Sequence, residues 1–453
     1  MRKSKGGGQD ATVVRQIDPG DIAVAVGYEV TLVSDSLNFP TAITFNEQGQ
    51  VFVTESGYSY GEVFTTPRLL RLDANRKQVI AEGGKNGPWT GIDHYRGNFY
   101  VAEGGQTEGG KILRITPQGE ISALISDLPG KGDHHTNGPA INNGFLYFGQ
   151  GTATNSAIVG PDNAEFGWLA RFPSFHDLPC QDITLNGVNY TTDSATTGAY
   201  VPFGTPTSRG QVIKAALPCT GAVMRIPIGG GDPEWVAWGF RNPFGLAFAP
   251  NGDLYLTENG YDVRGSRPVW GAGDVLWKVQ QGFWYGWPDY SAGKRINGVE
   301  EFKPPKKDTV KKILATDPGT PPKPAAILGV HSSSNGLDFS RSENFGFEQQ
   351  AFIAQFGDMA SDVGKVLHPV GFKVVRVDVT TGVIRDFAVN KSRKNGPASK
   401  LRSGGFERPV AVKFSPDGSE LYVVDFGILL MTEKGPQPVP YSGVVWKIKR
   451  RKS

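Results

Sequence analysis

Short runs of alternating apolar and polar residues recur along the chain, and turns rich in glycine and asparagine separate them. The fullest example lies at residues 239–260, where an apolar run ending at Phe248 is followed by an Asn251-Gly252 turn and a second run. Alternation on both sides of a tight turn is typical of two paired β-strands. No window has the apolar periodicity of a helix bundle, so the pattern predicts an all-β protein.

The strand–turn–strand unit occurs six times, at residues 41–55, 91–103, 138–148, 239–260, 336–354 and 411–425. Most copies are followed by a second hairpin, at residues 69–81, 111–125, 222–238, 274–279 and 373–388. A unit that recurs in this way cannot bury its apolar face alone, and it indicates a repeat architecture such as a propeller.

The sixth copy is followed by one further strand, at residues 443–448, and the alternating run 28–33 would complete it. We therefore predict a six-bladed β-propeller over residues 28–450, closed by N- and C-terminal strands in one blade. Residues 1–27 are expected to form a polar N-terminal extension. A pair of β-sandwiches is the alternative fold, although neither half of the chain has a self-contained strand pattern.

The repeat is interrupted at about residues 152–217 by a segment rich in Asn, Thr, Gly and Pro, which is typical of a functional insertion or lid. The two cysteines of the chain, Cys180 and Cys219, lie in and just after it. They are too few for a zinc site and form either a disulfide or two buried thiols. A disulfide favours an oxidising compartment, hence a periplasmic or secreted protein. No signal peptide is visible in residues 1–10, and a cytoplasmic location stays open.

Composition argues against several classes of function. The net charge of +3 over 453 residues gives no electrostatic reason to expect a nucleic-acid partner. No run of about 18 apolar residues occurs, so no membrane span is predicted. The chain also lacks a Cys-x-x-Cys-His haem motif, so any cytochrome partner would be a separate protein.

In a propeller, the loops that lead into the innermost strands converge on one end of the central channel. The positions before these strands give the following candidates: Phe39, Pro88, His134, His135, Arg241, Asn242, His331 and Arg408. Together these residue types suit anion binding and acid–base chemistry, although each alone is more often structural. Residues 258–262 could offer carbonyls and a carboxylate to Ca²⁺, or could be an ordinary turn.

Several of these segments also carry a family resemblance. They are Trp-Gly-Phe-Arg-Asn-Pro-Phe-Gly-Leu-Ala-Phe (238–248), Thr-Glu-Asn-Gly-Tyr-Asp-Val-Arg-Gly-Ser-Arg-Pro-Val (257–269), Tyr-Gly-Trp-Pro-Asp (285–289), His-His-Thr-Asn-Gly (134–138) and Arg-Pro-Val (408–410). Together they resemble the glucose/sorbosone dehydrogenase family, and the cysteine-containing segment is more similar to the sorbosone branch. Proteins of this family are soluble six-bladed quinoproteins that use pyrroloquinoline quinone (PQQ) and calcium.

The resemblance implies roles for individual residues. His135 matches the general base that takes the proton of the sugar's anomeric hydroxyl. Gly260 and Tyr261 match the positions whose backbone carbonyls bind calcium. The cofactor-binding candidates are Arg241, Asn242, Arg408, Gln150 and His331. Gln150 stands where the glucose enzymes have an aspartate that supports the histidine, and no secure equivalent of their cofactor lysine is found, Lys365 being the nearest.

The function that the resemblance implies is oxidation of a sugar or sugar aldehyde, with PQQ as hydride acceptor and an external quinone or cytochrome as final electron acceptor. Two alternatives remain. One is a non-catalytic binding propeller of the same family, which Gln150 and the missing lysine favour. The other is a calcium-dependent lactonase or esterase, which would need carboxylates and a ring of asparagines around a central metal.

Overall fold

The computed structural model describes residues 14–59, 63–73, 76–192, 195–359, 369–432 and 435–451. The main feature of the molecule is a ring of six antiparallel sheets with four strands each, or five in one case. The first strands of neighbouring sheets contact one another around the whole ring, so they line the central channel. The predicted all-β, six-bladed propeller is therefore confirmed.

The blades are numbered in chain order. Blades 1 to 3 consist of Pro40–Phe45, Val51–Glu55, Arg68–Asp73 and Arg76–Glu82; Trp89–Tyr95, Asn98–Glu103, Gly110–Ile115 and Ile121–Leu128; and Thr136–Asn142, Phe145–Gln150, Ala222–Pro227 and Glu234–Trp238. Blades 4 to 6 consist of Pro243–Phe248, Leu254–Glu258, Gly273–Lys278 and Ala326–Val330; Ser334–Phe339, Ala351–Gln355, Lys373–Asp378 and Val383–Asn390; and Pro409–Phe414, Glu420–Asp425, Gly443–Arg450 and Tyr28–Leu37. In blade 6, Tyr28–Leu37 runs antiparallel to Gly443–Arg450, which confirms the predicted closure.

Two strands were not foreseen. Ile22–Val24, in the segment expected to be a polar extension, follows a 3₁₀ turn at Pro19–Asp21 and adds a fifth strand to blade 5. The outer strand of blade 4, Ala326–Val330, pairs with Gly273–Lys278, so the hairpin expected at residues 274–279 is a single strand. Its partner lies nearly fifty residues further on, and a local pattern cannot reveal a pairing at that distance.

The interruption of the repeat falls between the second and third strands of blade 3. It contains the short helices Pro161–Glu165 and Trp168–Arg171 and two ribbons, Ile183–Asn186 with Arg209–Ile213 and Tyr190–Thr192 with Ala195–Thr197. Cys180 and Cys219 form a disulfide with an S–S distance of 2.03 Å, which confirms that prediction. The remaining small elements are the helix Ala398–Leu401, the 3₁₀ turn Glu300–Phe302, and the ribbons Tyr58–Ser59 with Val63–Phe64, Tyr290–Ser291 with Lys294–Arg295, and Leu429–Thr432 with Gly435–Pro438.

A second insertion, residues 279–325, separates the last two strands of blade 4, and it pairs with the first insertion. The Asn186 N–H donates to Ile313 O at 2.8 Å, and the Ala315 N–H donates to Thr184 O at 2.8 Å. Apolar residues of both insertions, including Leu185 and Leu314, share one buried core with blade 3. The two insertions therefore form one cap beside blades 3 and 4.

Glycines at the third position of the inner strands allow neighbouring blades to approach closely. A Cβ on Gly91 would lie 1.7 Å from the carbonyl oxygen of Gly138 in the next blade. A Cβ on Gly336 would lie 2.7 Å from Cα of Ala411. Glycine is therefore required by space at these positions. Within the part of the chain that the structure describes, no helix is long and apolar enough to cross a membrane.

Candidate functional site

The second strand of every blade ends on a buried carboxylic acid or amide, and these six residues hold the loops at one end of the channel, called the mouth below. They are Glu55, Glu103, Gln150, Glu258, Gln355 and Asp425, each opposite the first residue of the inner strand. Glu258 accepts the backbone N–H of Arg241 at 2.5 Å, and Asp425 accepts that of Arg408 at 2.8 Å. The repeat thus fixes the loop residues that the sequence analysis selected.

Arg241 is buried at the mouth, and each of its guanidinium nitrogens has a partner. Nη1 donates to Gly260 O at 2.7 Å, and Nη2 forms an ion pair with Asp262 at 2.7 Å. Nε donates to the carbonyl and side-chain oxygens of Asn155, a residue of the first insertion, at 3.3 and 3.1 Å. One arginine therefore joins blade 4, its following loop and the cap.

Asp262 is the centre of an ionic network that extends from Arg241. Arg264 contacts Asp262 at 3.0 Å and also pairs with Asp133 and Asp162, both at 2.6 Å. Burial alone would raise the pKa of Asp262, but Arg241 and Arg264 outweigh it and hold the pKa below its ordinary value. The carboxyl group of Asp262 is therefore ionised over the working pH range.

His331 joins this network from the loop before blade 5. Its Nδ1 lies 3.7 Å from Oδ1 of Asp262, and its Nε2 is buried without a hydrogen-bond partner among the described residues. Its backbone is left-handed, with φ of 55°, a conformation that non-glycine residues adopt at a cost. The structure thus places His331 beside Asp262, the carboxylate that also pairs with Arg241.

Asn242 begins a row of four asparagine amides along the channel wall. Asn137 donates to Asn242 at 3.1 Å, Asn242 donates to Asn259 at 2.9 Å, and Asn259 donates to Asn335 at 3.4 Å. The row reaches from blade 3 to blade 5, and each amide orients the next. Asn137 and Asn335 were not selected as site residues from the sequence, and Asn259 was selected only as part of the turn at residues 258–262.

The two adjacent histidines turn to different surroundings. His134 is buried with Nδ1 at 2.9 Å from Thr152 O, and burial together with Arg241 and Arg264 lowers its pKa well below the ordinary value. The half-buried His135 ring meets Tyr58 and Trp168 edge-on, both at 6.4 Å between centroids. Burial lowers the pKa of His135 to about 4, partly opposed by the backbone of Gly130 and slightly aided by Arg171, so its imidazole is neutral near pH 7. Its Nδ1 has no partner in the described chain.

Gln150 has no hydrogen bond to His135. Its Oε1 accepts from the Thr136 hydroxyl at 2.8 Å, and its Nε2 donates to Pro129 O at 3.0 Å and to Gly151 O. The side chain is fully buried, and it is the blade 3 member of the six strand-end residues. The resemblance implied that Gln150 supports His135, but Gln150 makes no contact of that kind.

Arg408 is fixed at the other side of the mouth. Its Nη1 donates to the carbonyls of Gly357 and Asp358 at 3.1 and 3.2 Å, and its guanidinium lies 4.9 Å from the centroid of Phe356 and 5.1 Å from that of Phe372. No hydrogen bond or ion pair between described residues joins it to Arg241. Lys365 lies outside the described residues.

The donor set of the mouth fits a planar, polyanionic quinone. Two guanidinium groups and a row of amides can bind carboxylates and carbonyls, and His135 and His331 each have a buried ring nitrogen without a partner. Calcium does not fit the same residues as they stand. The Gly260 carbonyl already accepts from Arg241, and the Asp262 carboxylate already pairs with Arg241 and Arg264. The described residues also contain no group of three or more His, Cys, Asp or Glu that could hold a metal.

Some residues of the mouth carried little sequence signal. Asp262 was selected only as a carboxylate of the possible calcium turn, whereas Asp133 and Arg264 stand close to selected residues, so adjacency could have indicated them. Asn155 comes from the insertion, and nothing in its sequence context pointed to Arg241.

Comparison with known proteins agrees with this architecture. Similar solved structures include the holo PQQ domain of pyranose dehydrogenase from Coprinopsis cinerea, with 16% identity, TM-score 0.58, and 95% of this chain and 97% of that chain covered. A calcium structure of a Trichoderma reesei carbohydrate-active enzyme of family AA12 has 15% identity and TM-score 0.59, covering 96% and 98%. PQQ-bound aldose sugar dehydrogenase from Streptomyces coelicolor has 16% identity and TM-score 0.53, covering 94% and 99%. At these identities the likeness shows a shared fold.

No curated protein sequence matches the chain. The family model for glucose / sorbosone dehydrogenase matches residues 225–354, which include Arg241, Asn242, Gly260 and Asp262. This match confirms the resemblance of the chain to the glucose/sorbosone dehydrogenase family.

Proposed function

We propose that this protein is a PQQ-dependent dehydrogenase that oxidises a sugar or sugar aldehyde at the mouth of the propeller. The observation that carries the proposal is the combination there of two arginines, a row of amide groups and a neutral histidine with an unpartnered nitrogen. The fold shared with PQQ-bound sugar dehydrogenases and the family-model match support it.

The roles of the residues follow from their chemistry. Arg241, Asn242, Arg408 and His331 would hold the quinone through charge-assisted bonds and stacking. When bound, the quinone supplies a hydride acceptor. Nδ1 of His135 accepts the proton of the anomeric hydroxyl, and the apolar edges of Tyr58 and Trp168 limit the access of water to that nitrogen. An external quinone or cytochrome would be the final electron acceptor.

The remaining parts of the proposal concern calcium and location. Calcium on the carbonyls of Gly260 and Tyr261, which the resemblance implies, is left out of the proposed mechanism because Arg241 already uses the Gly260 oxygen. A periplasmic or secreted location is supported by the Cys180–Cys219 disulfide, since such bonds persist in oxidising compartments. The panel of sugars in the experiment below tests whether the substrate is an aldose or a sorbosone-type aldehyde.

A non-catalytic binding propeller is the second candidate, and one observation favours it. Arg241 and Arg408 both donate to groups of the protein itself, which leaves fewer donors for a ligand. The lactonase alternative gains the row of asparagines it would need, but the amide oxygens of Asn242, Asn259 and Asn335 are already bonded to neighbouring amides.

Reconstitution separates these functions. Purified protein is titrated with PQQ, binding is followed by absorbance, and a panel of aldoses and sugar aldehydes is then added. We expect stoichiometric binding and reduction of the quinone spectrum by at least one sugar. Binding without reduction by any sugar would favour the non-catalytic propeller, and no binding would overturn the proposal.

A further inference from the structure

The Gly260 carbonyl already accepts a hydrogen bond from a cationic side chain. Arg241 Nη1 donates to Gly260 O at 2.7 Å and lies 3.4 Å from Asn259 O, while Nη2 of the same group pairs with Asp262 at 2.7 Å. The turn that could offer carbonyls and a carboxylate to a metal ion therefore gives both to one guanidinium.

The position of Arg241 is fixed from several sides. Its backbone N–H is held by Glu258 and its Nε by Asn155, and its side chain is only 4% exposed. A second cation, Arg264, contacts the same oxygen of Asp262 at 3.0 Å. Asp262 is thus paired with two guanidinium groups before any metal arrives, and Arg264 is shared with Asp133 and Asp162.

Ca²⁺ requires six to eight oxygen ligands at about 2.3–2.6 Å. An ion at that distance from Gly260 O would lie within a few ångströms of Nη1 of Arg241, and two like charges so close together repel strongly in a buried site. We infer that the Arg241 guanidinium acts as the resident cation of the Gly260–Asp262 turn, so that Arg241 and a divalent cation exclude one another there.

The inference concerns the chain without quinone, and its test involves neither quinone nor sugar. Its failure can therefore be distinguished from failure of the proposed function. Isothermal titration calorimetry with CaCl₂ is performed on the chelator-treated, full-length protein. We expect no binding to the parent chain up to about 1 mM Ca²⁺.

Two variants locate the effect. Arg241→Met removes the charge while keeping much of the side-chain length, which releases Gly260 O and leaves Oδ2 of Asp262 with Arg264 as its one cation. We expect Ca²⁺ to bind this variant at least about tenfold more tightly than the parent. In Arg241→Met/Asp262→Asn the gain should disappear, because the carboxylate of the new site is then lost.

Three results would overturn the inference: micromolar binding to the parent chain, no gain in Arg241→Met, or a gain that persists in the double variant. If Arg241→Met does not fold, the titration of the parent chain decides alone. Micromolar binding to it contradicts the exclusion, and absence of binding supports it.

Discussion

At the scale of single residues, the difference between the two adjacent histidines is the side to which each ring turns. Thr152 holds Nδ1 of His134, whereas Nδ1 of His135 has no partner among the described residues. Successive side chains of an extended segment point to opposite sides, which explains why neighbours have such different surroundings. Only His135 therefore offers that nitrogen to a ligand.

Replacement of His135 by Gln should abolish proton acceptance while keeping much of the ring's volume. We expect the rate of quinone reduction by sugar to fall by about 10²–10⁴, with little change in sugar binding. Single-turnover measurements on quinone-loaded protein give this rate. His134→Gln is the matched variant. It should lower the melting temperature and leave the rate close to that of the parent. If His135→Gln reacted at the rate of the parent, His135 would not be the general base.

The low pKa of His135 has a consequence for stability. Its folded value of about 4 lies below the unfolded value of about 6.5, so the unfolded chain takes up the proton first as the pH falls. The contribution of His135 to stability is fully present above about pH 6.5, and it is lost progressively as the pH falls from there to about 4. His135→Gln should flatten the free energy of unfolding over that window, as measured by urea denaturation at several pH values.

The residue types at the mouth were predictable from the sequence, but their partners were not. Arg241 was selected as a cofactor ligand, and its spacing gave no sign that Asp262 and Asn155 would surround it. Contacts of this kind join positions 21 and 86 residues apart, and only the closed ring brings them together. The roles given to His135, Arg241, Asn242, Arg408, His331, Gln150, Gly260 and Tyr261 stay predictions.

At the scale of elements, the six strand-end residues divide by the groups they face. Acids accept backbone or indole N–H groups, as Glu258 does from Arg241 and Trp277. The amides of Gln150 and Gln355 donate to the carbonyl groups of Pro129 and Leu328. The hydrogen-bond partners in each blade thus determine whether its strand-end residue is an acid or an amide.

Gln150→Glu distinguishes a structural role from a weakened catalytic one. A carboxylate would face the carbonyls of Pro129 and Gly151 with no proton to donate, at a cost of about 1–3 kcal/mol. We expect a lower melting temperature and no gain in dehydrogenase rate. Gln355→Glu, the same change in blade 5, should cost a similar amount. An increased rate in Gln150→Glu would instead show that the position supports the histidine.

The Cys180–Cys219 disulfide should stabilise the first insertion by limiting its unfolded conformations. Its sequence separation of 39 corresponds to about 4 kcal/mol in the chain-entropy model. Replacement of both cysteines by Ala is expected to lower the free energy of unfolding by up to that amount. Thiol counting in denaturant without reductant should find no free thiols in the parent chain, and two per chain would contradict the bond.

The strands of the repeat were predictable because each lies next to its partner in sequence and alternates clearly. The outer strand of blade 4 was missed since its partner lies beyond an insertion, and Ile22–Val24 was missed because it is short and pairs with a strand more than 350 residues away. Local pattern thus predicts an element best where its pairing is also local.

At the scale of the whole molecule, the ring is closed by Tyr28–Leu37, and the segment before that strand is attached to the mouth. Arg15 is 5% exposed, pairs with Asp425 at 2.7 Å and lies 3.6 Å from Glu407. Asp425 also holds the backbone N–H of Arg408. The six-bladed architecture and its closure were predictable from the count of repeats, whereas this attachment depends on contacts nearly 400 residues apart.

Arg15→Ala should leave Asp425 and Glu407 buried without their cation. Breaking a buried pair from one side typically costs about 3–5 kcal/mol, and we expect a loss of stability of that order in urea denaturation. Replacement of the exposed Arg385 by Ala is the control and should change little. Equal stabilities of the two variants would show that the ion pairs of Arg15 contribute nothing measurable to stability.

The pairing between the two insertions has a consequence for slow motions of the cap. Asn186 and Ala315 belong to different blades in sequence, yet their amides are protected by one β-bridge, in which Leu185 lies opposite Leu314. Such a bridge opens as one unit, so the amide hydrogens of both residues should have the same protection factor in deuterium exchange. Reduction of the disulfide in the first insertion should then accelerate exchange at Ala315, in the insertion that contains no cysteine.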